Sequence, residues 1–307
     1  MRSGTIPPAQ PAADASASDP RPPFEVARRA QEFLTTHGLA EPRLEAELLL
    51  AAVRGVRRLD LYLEDDVPLS DDELQRYLRA VDRRARREPF QYIVGQVGFR
   101  EIALRVDERA LIPRPETEVL VGVALDWSRA RAREGRASLR ALDVGTGTGA
   151  IALSLLAEGG FQRVTATDVS AAALALAQEN AQALELLERV ELRLGSVYEP
   201  LAAGERFDAI VSNPPYVAES ERGTLAREIV DWEPASALFG GDTGLAVVEP
   251  IVRGAPAWLA RPGLLAVEIA PTQAPAVREL ALAAGFARAR IIEDLTGRPR
   301  IVAAELD

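Results

Sequence analysis

The chain has 307 residues, a formal net charge of −10 and 48% hydrophobic residues, enough for two domains and a sizeable core. It has no Cys, no Lys and a single His, His37, so all 36 basic residues are Arg. Those absences exclude disulfides, thiolate nucleophiles, Schiff bases and a P-loop lysine, and they leave too few ligands for a His-rich metal site or a Ser-His-Asp triad. Any chemistry must run on carboxylates, amides, hydroxyls, Arg, backbone and a bound cofactor. The net acidity also speaks against a protein that lives on bulk duplex nucleic acid.

Residues 1–22 are rich in Pro, Ala and Ser and lack the apolar centre of a secretory signal, which predicts a disordered tail. No apolar run approaches the ~20 residues of a membrane span. Lack of Cys fits a reducing, cytoplasmic setting.

Residues 23–88 read as a small helical bundle. "FEVARRAQEFLTTHG" and "PRLEAELLLAAVRG" carry apolar residues at helical spacing and stop at Gly38 and Gly55. "SDDELQRYLRAVDRRARRE" opens with Ser70 as N-cap and Glu73 three residues on, a capping box. His37 is expected to satisfy carbonyls at a helix C-terminus. Arg79, Arg83, Arg84, Arg86 and Arg87 crowd the end of the third helix. They read either as a solvated face favoured by the helix dipole or as a docking surface for an acidic or RNA-containing partner.

Residues 89–112, beginning "PFQYIVGQVGFREIALRV", are β-branched and aromatic with Gly95 and Gly98 between, which predicts a hairpin joining two domains. From residue 113 the second domain begins with a proline-stiffened helix start. From Leu139 onward, short apolar strands alternate with Ala- and Leu-rich helices: "LRALDVG", "RVTATDV", "RVELRLG", "RFDAIVSN", "GLLAVEIA", "ARIIEDL" and "RPRIVAAEL". That alternation predicts a mostly parallel sheet covered on both faces. The last two strands lie too close for a crossover helix and are expected to pair antiparallel.

Two corners of this sheet carry the chemistry. "LDVGTGTGAIALSLL" is strand, glycine turn, helix. Gly145, Gly147 and Gly149, with Thr146 and Thr148 between, let backbone turn sharply and approach a ligand. Asp143 closes the first strand and Asp168 the second, where an acid suits the two hydroxyls of a ribose. This much fits either a nicotinamide dinucleotide or S-adenosylmethionine. The antiparallel final pair, and the "SNPPY" that ends the fourth strand, favour S-adenosylmethionine.

At Ser212–Tyr216 the backbone is stiffened twice by proline, and Pro214 is pushed to an extended conformation by Pro215. Asn213 offers a side-chain oxygen, the Pro214 carbonyl is expected to remain free, and Tyr216 supplies a flat face. The matching guest is planar and bears an –NH2 group. Its nitrogen is a poor nucleophile, so the site must orient it and favour positive charge as the new bond grows, without a strong base.

DxGxGxG followed by NPPY resembles the methyltransferases of exocyclic and amide nitrogens. The chain most resembles the protein-(glutamine-N5) methyltransferases of the HemK/PrmC family from about Phe24 to the C-terminus. The likeness rests on "FQYIVG", "LIPRPETE", "LDVGTGTGAIA", "SNPPY", "WEPASALFGGDTGL" and "DLTGRPRIV". It implies a Rossmann-like class I methyltransferase sheet of seven strands, the last antiparallel, behind a helical substrate-recognition domain. It also implies a substrate: the glutamine of the Gly-Gly-Gln tripeptide of class-1 peptide chain release factors. By the same likeness Asp143 and Gly145 to Gly149 line the cofactor, Asp168 holds its ribose, and Asn213 borders it. Asn213, Pro214, Pro215 and Tyr216 hold the glutamine. Arg114 and Glu116 stand near the cofactor's amino-acid end or the site mouth, with bracing of the interdomain hairpin the alternative for Arg114. Ser196 and Val197 are expected to flank adenine, although many relatives have an acid where Ser196 stands; Ala270 likewise replaces a frequent glycine. No metal is implied. The alternatives are a methyltransferase acting on a ribosomal-protein glutamine or on adenine in DNA, a ribosome-associated binding protein without activity, and, more distantly, an NAD-dependent oxidoreductase.

Overall fold

A computed structural model of the chain describes residues 22–63, 67–136 and 138–307. All of the tail segment except Pro22 lies outside the described residues. Two compact units divide at Val94 and Gly95.

The first unit is helical. Helices α1 (Pro23–Thr36), α2 (Pro42–Arg54) and α3 (Asp71–Ala85) form around fully buried Leu34, Leu49, Leu50, Leu61 and Tyr77. The Tyr77 hydroxyl donates to the Ala46 carbonyl at 3.0 Å, which satisfies a polar group that the packing buries. The predicted capping box is present: Ser70 Oγ accepts from Glu73 N at 3.2 Å, and Glu73 Oε2 accepts from Ser70 N at 2.8 Å. His37 caps α1, its Nδ1 lying 2.9 Å from the Phe33 carbonyl.

Residues 90–94 depart from the expected hairpin. Phe90–Val94 form a short helix, α4, seeded by amides of Tyr92 and Ile93 on the Pro89 carbonyl. The β-branched and aromatic residues suggested a strand, but Pro89 pre-sets a helical first turn, and local hydrogen bonding overrides a weak β preference. The hairpin is therefore confined to β1 (Gln96–Phe99) and β2 (Ile102–Arg105), both in the second unit.

The expected basic face is also split. Arg84 is buried, its guanidinium clasping Glu45 at 2.9 Å through two nitrogens, and Arg87 donates to the carbonyls of His37 and Gly38. Arg83 pairs with Glu88. Arg84 and Arg87 thus tie helices together, because a guanidinium is the side chain best able to satisfy buried oxygens in pairs.

In the second unit α5 (Pro115–Arg133) starts at Pro115, after Arg114 in extended backbone, as a residue before proline prefers. The sheet contains β3 (Arg140–Val144), β4 (Arg163–Asp168), β5 (Val190–Leu194), β6 (Phe207–Ser212), β7 (Leu259–Glu268), β8 (Arg288–Glu293) and β9 (Pro299–Leu306). Its order is β5-β4-β3-β6-β7-β9-β8, parallel except where β9 pairs antiparallel with β7 and β8. All seven expected strands are present, with the expected antiparallel end. Helices α6 (Ala150–Ala157), α7 (Ala171–Ala183), α8 (Arg227–Trp232), α9 (Ala235–Leu238), α10 (Val248–Gly254) and α11 (Ala274–Ala283) complete the unit. Strand residues alternate between two cores: Ala141, Ala209, Val211 and Ala266 on one face with α5 and α6, and Leu142, Ile210, Leu265 and Val267 on the other with α10 and α11. Both faces being dry, the carboxyl ends of the strands are left as the surface where polar groups gather.

Candidate active site

A cavity of ≈ 190 Å³ lies over the carboxyl ends of β3, β4, β5 and β6. Its wall includes the turns that follow those strands: residues 144–148, 167–170, 195–197 and 213–215. The Pro234–Ala237 stretch of the "WEPASALFGG" motif closes another side.

The glycine turn is shaped by backbone. Gly145, Gly147 and Gly149 have φ of 76°, 56° and 85°, the left-handed region that only glycine adopts at little cost. The amides of Gly145 and Thr146 both donate to the Thr167 carbonyl, at 2.8 and 3.0 Å, locking the turn to β4. A Cβ built at Gly145 meets no atom within 4 Å, so the space beside the turn is clear for a ligand.

Two carboxylates stand behind this turn. Asp168 Oδ2 accepts from Gly147 N at 2.9 Å, and Oδ1 from Ser170 N at 2.8 Å. Ser170 itself caps α7, accepting from Ala173 N at 3.1 Å, so Asp168 is not needed as the helix cap. Burial raises the Asp168 carboxyl above its ordinary range, against the pull of those backbone donors. Asp143 is fully buried; Oδ2 accepts from Thr146 Oγ1 at 2.7 Å and Ala152 N at 3.1 Å, while Oδ1 has no partner. Burial pushes Asp143 up to about 7. The clear space beside the turn and the Asp168 carboxylate on the cavity wall fit a ligand bearing hydroxyl groups, as a nucleoside would present. Ser196 and Val197 line the same cavity from the β5 side; Val197 sits at φ 48°.

The second corner follows β6. The Ser212 hydroxyl donates to the Val144 carbonyl at 2.6 Å, tying the two corners together. Asn213 Nδ2 donates to Thr117 Oγ1 at 2.9 Å; Thr117 Oγ1 donates onward to Glu268 Oε2 at 2.7 Å. The Tyr216 hydroxyl reaches the other oxygen, Glu268 Oε1, at 3.1 Å. Glu268 ends β7, is fully buried, and is pushed up to about 7 by that burial, opposed by the Thr117 and Tyr216 hydrogen bonds. Among the described residues, neither Asn213 Oδ1 nor the Pro214 carbonyl accepts a hydrogen bond. The backbone beyond is clamped. The Tyr216 carbonyl accepts from Gln273 Nε2 at 3.0 Å, and a Cβ at Gly244 would stand 2.1 Å from that same carbonyl oxygen.

Sequence-predicted residues thus fall into two groups. Asp168, Gly145 to Thr148, Ser196, Val197 and Asn213 to Pro215 border the cavity. Asp143, Gly149, Tyr216, Arg114 and Glu116 do not. Asp143 and Gly149 support the turn from behind. Arg114 pairs with Glu233, whose side chain is almost wholly buried and also accepts from Ile112 N at 3.2 Å. Tyr216 turns its hydroxyl inward to Glu268, and Glu116 makes no hydrogen bond among the described residues. Thr117, Glu233, Glu268 and Gln273 were not singled out from the sequence. An acid at the end of the apolar run "GLLAVEIA" was the one available signal for Glu268.

A seven-stranded sheet with a glycine turn after its first strand and a rigid Asn-Pro-Pro-Tyr exit after its fourth defines a methyltransferase. Residues 130–249 match the model of the methyltransferase small domain, and residues 25–95 that of the PrmC N-terminal domain. Release factor glutamine methyltransferase of Cereibacter sphaeroides is 44% identical over 91% of this chain and 96% of its own. The protein of the same name from Deinococcus radiodurans is 41% identical, over 90% and 95%. In solved structures, the hMettl16 catalytic domain shares the fold with a TM-score of 0.53 at 16% identity, covering 78% of this chain and 82% of that one. The chain belongs to the release factor glutamine methyltransferase family and is an S-adenosylmethionine-dependent enzyme. No described helix is long and apolar enough to cross a membrane.

Proposed function

We propose that this enzyme methylates the side-chain amide nitrogen of the glutamine in the Gly-Gly-Gln tripeptide of class-1 peptide chain release factors, in the cytoplasm. One observation carries the reading. Two oxygens at a rigid exit that borders the cavity, Asn213 Oδ1 and Pro214 O, accept no hydrogen bond among the described residues. A primary carboxamide has two N–H donors to match them.

In this reading Gly145 to Thr148 cradle the amino-acid part of the cofactor, Asp168 accepts from the ribose hydroxyls, and Ser196 and Val197 flank adenine. The cofactor, when bound, supplies an electrophilic methyl group on sulfur. The protein's part is orientation. Asn213 Oδ1 and Pro214 O each accept one N–H of the glutamine, which directs the nitrogen lone pair away from them. As that nitrogen gains a methyl group and positive charge, both hydrogen bonds strengthen, so the stabilisation falls on the transition state. The added acidity lets the nitrogen give up one proton to solvent, restoring a neutral secondary amide. No His or Lys is required. Tyr216 packs beside the acceptor corner, and Arg114 braces the loop at Glu233, so we assign it no direct contact. Of the basic cluster, Arg79, Arg83 and Arg86 remain exposed and supply the docking face for the protein substrate; Arg84 and Arg87 serve the helical unit.

The test is mass spectrometry of an intact release factor incubated with the enzyme and S-adenosylmethionine. The expected product gains one methylene on the tripeptide glutamine. Modification elsewhere, or none at saturating cofactor, contradicts the proposal.

A further inference from the structure

A side-chain amide has nearly the same shape in two orientations, one presenting oxygen and the other –NH2. An acceptor corner built on Asn213 works in only one of them. Something must therefore distinguish the ends of that amide, and Pro214 and Pro215 cannot, since they fix only the backbone.

The structure supplies a directional chain. Glu268 is fully buried and presents lone pairs to two hydroxyls at once, Thr117 at 2.7 Å and Tyr216 at 3.1 Å. Thr117 has one proton. Given to Glu268, it leaves Oγ1 with lone pairs alone, and the group that meets those lone pairs at 2.9 Å is Asn213 Nδ2. Asn213 Oδ1 is then left facing away from Thr117, without a partner among the described residues. The same carboxylate anchors Tyr216, three residues beyond Asn213, so both ends of the exit are held from one buried point.

We propose that Glu268 and Thr117 are positioning residues for the methyl acceptor: carboxylate polarity, relayed through one hydroxyl, fixes which end of the Asn213 amide faces the glutamine. This rests on the reading that Asn213 Oδ1 receives the acceptor N–H. A carboxylate suits the role because its ionised form, which prevails above about pH 7 at this buried position, only accepts. An amide in its place could donate to Thr117, which would then donate to Asn213 and turn the wrong end outward.

The experiment measures single-turnover rate, KM for release factor and cofactor Kd in Thr117→Val, Thr117→Ser, Glu268→Gln and Asn213→Ala. Thr117→Val and Glu268→Gln are expected to lower the rate about 10–100-fold, as losses of outer-shell support do, with cofactor Kd within about twofold of wild type. Thr117→Ser keeps the hydroxyl and is expected to return most of the rate. Combining Thr117→Val with Glu268→Gln is expected to cost little beyond either alone, because both break one chain. Unchanged cofactor Kd establishes folding of each variant. Should Thr117→Val fail that check, the Thr117→Ser and Glu268→Gln pair decides. Near-wild-type rate in Glu268→Gln overturns the proposal, as do additive losses in the double variant. If Asn213→Ala alone keeps full rate, the acceptor reading itself fails; if Asn213→Ala is crippled while Glu268→Gln is not, only the positioning role falls.

Discussion

The two corners of the site sit at the ends of neighbouring strands yet are built in opposite ways. The cofactor corner is local: glycines with positive φ, backbone amides and carboxylates lie within the β3-to-β4 stretch and bond largely to one another. The acceptor corner is assembled from afar. Asn213 meets Thr117 across 96 residues, Thr117 meets Glu268 across 151, and Tyr216 meets Glu268 across 52. Local construction tolerates drift elsewhere in the fold, whereas the acceptor corner keeps its geometry only while α5, β6 and β7 are all in place. A nucleoside is gripped over a wide area and survives small shifts; a poor nucleophile must be aimed, where small misplacements cost large factors in rate.

The largest expected effect breaks the acceptor corner alone. Asn213→Ala is expected to lower kcat by about 10²–10³-fold, the scale seen when one preorganised hydrogen-bonding group is lost. Cofactor affinity by calorimetry is expected to remain close to wild type; a collapse of binding would move Asn213 to the other corner. Next comes the mirror experiment. Asp168→Asn removes charge and one acceptor from the ribose side, and about 1.5–3 kcal/mol for hydrogen bonds to a charged group corresponds to roughly 10–100-fold weaker cofactor binding. An unchanged Kd would refute the ribose assignment.

A paired glycine substitution sharpens the contrast. Both Gly145 and Gly244 have positive φ, 76° and 72°. A Cβ at Gly145 enters open space beside the cavity, whereas one at Gly244 meets the Tyr216 carbonyl oxygen at 2.1 Å and Gln273 Nε2 at 2.5 Å. Gly145→Ala is expected to weaken cofactor binding with modest loss of stability, about 1 kcal/mol of backbone strain. Gly244→Ala is expected to lower Tm by several degrees more and to reduce kcat with cofactor affinity little changed. Reversed phenotypes would contradict the division between the corners.

The smallest effect is in stability against pH. Asp143 and Glu268 both have folded-state values of about 7, above those of exposed carboxylates. Protonation is therefore favoured more in the folded than in the unfolded chain. Their contribution is full below about pH 4 and is lost as pH rises through about 7. In the absence of cofactor, Asp143→Asn is expected to flatten the decline of Tm between pH 5 and 7.5 relative to wild type. An unchanged slope would mean that Asp143 carries no such shift.

How much of this was legible follows the same contrast. Gly145, Gly147, Asp168 and the NPPY exit announce themselves because residue type, spacing and strand end are all local signals. Thr117 and Glu268 do not, since nothing in "PETE" or "AVEIA" says that the two meet. The seven strands could be read from apolar runs, yet Phe90–Val94 turned helical because Pro89 outweighed the β preference of Tyr, Ile and Val. The Arg cluster misled for a related reason: a helix-end repeat shows charge but not which guanidinium turns inward, and Arg84 lies against Glu45, 39 residues away.

The most direct measurement is a structure of the enzyme with the demethylated cofactor and a Gly-Gly-Gln peptide. The expected result places the glutamine amide nitrogen about 2.7–3.2 Å from both Asn213 Oδ1 and the Pro214 carbonyl oxygen, beside the sulfur. A glutamine nitrogen touching neither oxygen, or meeting Asn213 Nδ2 instead, would contradict it.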